Sequence, residues 1–233
     1  LRVKIIVPVA NDQWNDKILE LCKKVADSET EISVVNIKKG PVSIESIYDE
    51  TYAAPYVIEA AKEAEKQGYD GIIIYCFGNP GLEAAREALK IPVIGIGEAA
   101  QIFGMIVGER FGIISTIENA VARHWRKAKI LGSIIKLKSI KPLNIPVMEY
   151  YNEKKVAERA KKIAVKMIEE EGIDSIILGC GSMFGLKEEL QKILPIPVIV
   201  PGEAAIKLIE SLIKMGISHS KTAYMFPPKK EYL

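Results

Sequence analysis

Short apolar runs alternate with amphipathic stretches along the whole chain. Residues 3–9 form an apolar, β-branched run that predicts a buried strand, and 15–26 carry apolar positions at helical spacing. Residues 32–37 read as the next strand. Residues 53–67 are rich in Ala and Glu at helical spacing, and Gly68 stops that helix. The run at 71–75 is compact and β-branched, as expected for a strand covered on both faces. A helix at 82–89 and a strand at 92–96 follow. This alternation with short loops predicts an α/β fold of parallel sheets with helices on both faces.

The pattern then returns. Gly68-Tyr-Asp-Gly-Ile-Ile-Ile-Tyr-Cys76 is echoed by Gly172-Ile-Asp-Ser-Ile-Ile-Leu-Gly-Cys180, and Gly81-Leu82 by Gly185-Leu186. Ile91-Pro-Val-Ile94 with Gly97-Glu-Ala-Ala100 is echoed by Ile196-Pro-Val-Ile199 with Gly202-Glu-Ala-Ala205. The offset is 104 residues at the cysteines and 105 at the Gly-Glu-Ala-Ala segments, a difference of one inserted residue. Upstream, 3–9 corresponds roughly to 111–115. Two copies are too few for a solenoid, so a pair of similar lobes facing each other is expected.

In each copy the cysteine ends a strand and precedes a Gly-containing turn that opens a helix: Cys76-Phe-Gly-Asn-Pro-Gly81 and Cys180-Gly-Ser-Met-Phe-Gly185. Ligands of open α/β sheets bind outside the carboxyl ends of the strands, where helix N-termini present free N–H groups. With a pseudo-twofold between the lobes, both sulfurs face one cleft. The helix N-termini are expected to lower the thiol pKa values toward neutrality, from an ordinary value of about 8.5. A strand-end cysteine taken alone reads as a small core residue. Two at matching repeat positions point instead to Cys76 and Cys180 as a catalytic pair, since inverting a carbon stereocentre needs a base on one face and a proton donor on the other. Cys22 has no such counterpart and is assigned to the core.

Composition narrows the field. The 233 residues are 48% apolar, and 32 basic residues nearly cancel 30 acidic ones, leaving a formal charge of +2. Lysines and glutamates mingle on helix-like segments, which argues against nucleic acid as a partner. There is no run of about 18 apolar residues and no secretory pattern, so a cytoplasmic protein with no membrane partner is expected. With three cysteines, two histidines and no Cys-x-x-Cys pair, neither a structural disulfide nor a metal site is expected. No cofactor is implied where a neighbouring carbonyl acidifies the C–H bond. The expected partners are a small-molecule substrate and further copies of the chain.

At these residues the sequence resembles the Asp/Glu/hydantoin racemase superfamily, and within it the hydantoin and allantoin racemases. The resemblance spans almost the whole chain. It is carried by Cys76-Phe-Gly-Asn-Pro-Gly81, Gly95-Ile-Gly-Glu-Ala-Ala100, Arg110-Phe-Gly-Ile-Ile-Ser-Thr116, Leu178-Gly-Cys-Gly-Ser-Met183 and Tyr224-Met-Phe-Pro-Pro228. It implies two flavodoxin-like lobes with the active site between them and the C-terminal segment crossing back, so that 1–98 plus 209–233 form one lobe and 99–208 the other. It places Cys76 and Cys180 on the two catalytic positions and Ser115 and Thr116 at the rim of the site. Asn79, Gly181 and Ser182, in the post-cysteine turns, are expected to bind substrate. The implied reaction is cofactor-independent racemisation of a 5-substituted hydantoin or of allantoin. The alternatives are an aspartate/glutamate-type amino-acid racemase, which should draw cations into a cleft where none is visible beside the cysteine turns, and a non-catalytic two-lobed ligand-binding module.

Where relatives commonly carry Asn-Pro-Asn-Thr after the first strand, this chain reads Val7-Pro8-Val9-Ala10. Glu98 and Glu203 open helices and are expected to serve the helix dipole. His124 is read as a helix-face residue, and Tyr48 and Asp49 as part of a loop.

Overall fold

In a computed structural model, which describes residues 1–231, the chain forms two sheets of four parallel strands each. The first half runs β1 (Arg2–Val7), α1 (Asn15–Val25), β2 (Glu31–Asn36), α2 (Ile47–Lys66), β3 (Gly71–Ile74), α3 (Leu82–Ala88), β4 (Val93–Gly95) and α4 (Ile96–Val107). The second runs β5 (Phe111–Ser115), α5 (Glu118–Leu131), β6 (Leu137–Pro142), α6 (Glu153–Glu171), β7 (Ser175–Leu178), α7 (Leu186–Gln191), β8 (Val198–Ile199) and α8 (Pro201–Lys214). The strand orders are β2-β1-β3-β4 and β6-β5-β7-β8, so the repeat read in the sequence is a repeat of topology. Every residue of β3 and of β7 is buried, as central strands covered on both faces require. Among the described residues no helix is long and apolar enough to cross a membrane.

Registers make the copies equivalent. Ile6 pairs with Ile74 and Ile114 with Leu178, so Cys76 and Cys180 each stand two residues past a matched strand end. By the same alignment Val7 and Pro8 at the end of β1 correspond to Ser115 and Thr116 at the end of β5.

Two helices join the lobes. Ala204, Ala205, Ile206 and Ile209 of α8 pack into one core with Val3, Ile5 and Ile73, although α8 follows the last strand of the second sheet. In α4, Ile96 and Ala99 face that same core, while Ala100 packs with Phe111, Ile113 and Ile177 of the second sheet. The two helices also pack against each other. Glycines permit the approach: a Cβ at Gly71 would lie 2.8 Å from the Ile209 side chain, and one at Gly104 2.8 Å from that of Ile177.

The largest departure from the expected extents is at the start of α2. Helix α2 begins at Ile47, because Ser46 and Asp49 form a capping box: the Asp49 N–H donates to Ser46 Oγ (3.1 Å) and the Ser46 N–H to Asp49 Oδ2 (2.9 Å). Tyr48 and Asp49 therefore belong to a helical first turn, not a loop.

Since Ile209 is fully buried in the core of the first sheet, Ile209→Ala should lower the unfolding free energy by about 2–5 kcal/mol. Urea unfolding followed by tryptophan fluorescence and by far-UV circular dichroism should give coincident transitions. Two separated transitions would show that α8 does not couple the lobes.

Candidate active site

The turn after β3 carries Tyr75, Cys76, Phe77 and Gly78, and its counterpart after β7 carries Gly179, Cys180, Gly181 and Ser182. All eight residues line one pocket. The turns touch across it: the Tyr75 hydroxyl donates to the Gly181 carbonyl at 3.3 Å, and a Cβ on Gly181 would lie 2.6 Å from the Tyr75 ring. Val7, Pro8 and Val9 form an apolar wall with Trp14, Ile18, Ile44, Val147 and Phe184. Ser43, Thr116, Arg123 and His124 supply the remaining polar lining.

The structure therefore brings together Cys76, Cys180, Thr116, Gly181 and Ser182, and leaves out two residues expected beside them. Asn79 sits at φ 52° with its Oδ1 accepting the Gly97 N–H at 3.1 Å, which ties the turn to the start of α4. It faces a separate cavity that also contains Arg86, Glu98 and Lys127. Ser115 is fully buried and does not line the pocket, its Oγ 3.2 Å from His124 Nδ1. The helix-opening carboxylates lie outside the pocket too. Glu98 accepts the Gly95 N–H and pairs with Arg86, and Glu203 pairs with Lys187 at 2.6 Å. Cys22 is buried in the core.

Two pocket residues were not read from the sequence as such. Arg123 and His124 reach it from α5, where the buried positions are Ala120, Arg123, His124 and Ala128. An arginine at the inward phase of a helix was the available signal. Arg123 Nη1 lies 3.3 Å from Glu50 Oε1, and Lys127 Nζ lies 3.4 Å from Glu50 Oε2. A cation therefore does enter the cleft, from a helix rather than from the cysteine turns. His124 is a pocket residue, packed at 4.7 Å between ring centroids against Phe77.

The thiols behave contrary to the helix-dipole expectation. Burial pushes Cys76 up to about 12, with the Glu50 carboxylate adding to the rise; Arg123 and the Gly78 N–H pull the other way. Burial raises Cys180 as well, against the Ser182 hydroxyl and N–H and Arg123; Cys180 Sγ is 3.0 Å from Ser182 Oγ. The reason is distance. Helices α3 and α7 begin at Leu82 and Leu186, six residues beyond their cysteines, and the dipole acts only within about the first turn. What favours a thiolate here is Arg123 and the local donors. A charge on Cys180 also raises the Cys76 thiol, as like charges sharing a site do.

Two lobes, each a four-stranded parallel sheet, with paired thiols at equivalent strand ends define a duplicated α/β protein with one pocket shared by its halves. The chain belongs to the Asp/Glu/Hydantoin racemase family, whose model matches residues 3–209. It is 34% identical over 236 residues to a hydantoin racemase of Paenarthrobacter aurescens, with 100% of both chains covered. An allantoin racemase from Klebsiella pneumoniae superposes with a TM-score of 0.93 at 33% identity, covering 100% of this chain and 96% of that one. The allantoin racemase of Pseudomonas fluorescens gives 0.96 at 28% identity with full coverage of both.

Burial, with Arg123 and Lys127 nearby, lowers the His124 pKa to about 3. The unfolded chain takes up that proton near pH 6.5, while the folded chain refuses it until about pH 3. The unfolded state thus binds more protons between these values, and stability falls as pH drops through the window, by at most about 1.4 kcal/mol per pH unit for this group. Urea unfolding at pH 7 and pH 5 should show a smaller loss for His124→Gln than for the wild type. Equal losses would mean that His124 is not held neutral by burial.

Proposed function

We propose that this enzyme racemises 5-substituted hydantoins, or the related ring of allantoin, by exchanging a proton at the ring stereocentre between Cys76 and Cys180. The observation that carries this reading is the presence of both thiols, from equivalent turns of opposite lobes, in one pocket. A thiolate on one side removes the C5 proton. The C–H electron pair moves into the adjacent ring carbonyl to give an enolate, and the opposite thiol delivers its proton to the other face. The proton count is unchanged, and the roles exchange for the mirror-image substrate. Because a charge on one sulfur disfavours a charge on the other, the two thiols do not ionise together, and the reaction calls for only one thiolate at a time.

The rest of the lining fits such a ring. Val7, Pro8 and Val9 with Trp14 and Phe184 accommodate a 5-substituent, while Thr116, Ser43 and the turn N–H groups serve the carbonyl and N–H edges. An α-amino acid fits less well. Among the described residues no carboxylate lines the pocket to meet an ammonium group, and one guanidinium serves two carboxylates poorly.

The test is the fate of a single enantiomer in D₂O. A 5-alkylhydantoin or allantoin should lose optical activity and gain one deuterium at the stereocentre. Cys76→Ser and Cys180→Ser should each reduce kcat about 10²–10⁴-fold. Absence of exchange with hydantoins and allantoin alike, or full activity in either variant, would overturn the proposal.

A further inference from the structure

Arg123 holds a position that packing alone does not explain. Its side chain is 6% exposed and lines the thiol pocket, yet Nε and Nη1 are buried without a hydrogen-bond partner. The nearest counter-charge, Glu50, approaches Nη1 at 3.3 Å, and its Oε1 also lacks a hydrogen bond. Leaving charged donors buried and unsatisfied is costly, more so than for neutral groups. The site tolerates this beside two thiols and an otherwise largely apolar wall.

We propose that Arg123 is the anion anchor of this pocket, set in place by Glu50, and that its free donors hold the negative charge carried first by a thiolate and then by the enolised carbonyl of the substrate. The thiolate half stands on the geometry alone. The substrate half rests on the racemase reading above and specifies its substrate: a planar, neutral ring whose carbonyl becomes anionic only as the proton leaves. A donor that meets charge only as it develops accelerates the chemical step more than it tightens binding. Glu50 is a positioning residue. It lies against the turn, where a Cβ on Gly78 would collide with its carboxylate, and it is shared with Lys127 on the next turn of α5.

The charges acting on the anchor and the thiols come from several elements. Glu50 and Asp49 belong to α2, Arg123, His124 and Lys127 to α5, and Glu45 to the segment before α2. Of these, Arg123 favours the thiolate form of both cysteines, Glu50 opposes it at Cys76 and Glu45 at Cys180. Buried His124 stays neutral above about pH 3 and supplies no competing cation.

The pH dependence of iodoacetamide alkylation at each cysteine, followed by peptide mass spectrometry on the intact protein, tests the anchor without any substrate. Arg123→Gln should slow alkylation of both Cys76 and Cys180 by about tenfold or more at pH 8, since an adjacent cation shifts such groups by roughly 1–3 pH units. Arg123→Lys should restore part of the rate, and Glu50→Gln should accelerate Cys76. A merely structural role gives the opposite sign, because loosening the pocket exposes the thiols and speeds alkylation in every variant. Unchanged or faster alkylation in Arg123→Gln overturns the proposal. Should that variant not fold, Arg123→Lys decides: alkylation of both cysteines slower than in the wild type supports the anchor, and unchanged or faster alkylation overturns it. With a hydantoin that the wild type racemises, Arg123→Lys should lower kcat at least tenfold with a smaller change in KM; loss confined to KM overturns the substrate half. A wild type without racemase activity but with the expected alkylation pattern removes the proposed reaction and leaves the thiolate anchor standing.

Discussion

The structure depends on how closely α4 and α8 approach the turn that carries Cys76. In each copy the helix after the fourth strand opens with Gly-Glu-Ala-Ala, and its glycine is the point of contact. A Cβ on Gly97 would fall 2.0 Å from the Phe77 carbonyl, and one on Gly202 2.7 Å from the Tyr75 hydroxyl. Neither position has room for a side chain, so both helices press on the same turn. That pressure sets Tyr75 against Gly181 and brings the carboxyl ends of the two sheets to a common pocket. Asn79, bonded to the Gly97 N–H, is a fastening of this joint.

Once the turns meet, burial sets the electrostatics. A half-buried thiol loses more by desolvation than a distant helix N-terminus returns, and both cysteines titrate above the ordinary thiol range. The opposing influences are short-range: the Gly78 N–H at one sulfur, the Ser182 hydroxyl and N–H at the other, and Arg123 at both. Glu50 moderates the arginine from behind while Lys127 offsets part of its charge. The site is thus a small set of charges in a low-dielectric enclosure, where each interaction counts for more than it would at a surface.

The parts legible in the sequence were those fixed by local pattern. Buried strands announce themselves as β-branched runs, and the copy of 68–76 at 172–180 places both cysteines at equivalent strand ends before any packing is known. What escaped depended on contacts between distant segments. Arg123 is charged, and charge ordinarily marks a solvent-facing helix position; only the pocket beside α5 turns it inward. Asn79 has the chemistry of a ligand-binding residue, yet its side chain is engaged by a backbone N–H 18 residues away. The thiol pKa values depend on desolvation, which cannot be judged until the opposite lobe covers the turn. Asp49 was nearer to legible, since Ser46 and Asp49 already have capping-box spacing.

The duplicated scaffold is no longer symmetric where a substrate would lie. At the end of β1 the chain presents Val7-Pro8-Val9 to the pocket, and at the equivalent end of β5 it presents Thr116, with Ser115 buried beside it, so the pocket has an apolar side and a polar side with a thiol from each lobe. For the proposed chemistry this division has a physical use. Both enantiomers share one planar enolate, and the ring edge can keep the same hydrogen bonds at Thr116 and the turns throughout. The 5-substituent cannot stay fixed, because it swings across the ring plane as the configuration inverts. Hydrogen bonds to it would hold one enantiomer and resist the other. Apolar contact is non-directional, so the wall of Val7, Pro8 and Val9 lets the substituent move while still excluding water. Directional groups on the ring and non-directional ones on the substituent are what a two-way reaction at a single carbon demands.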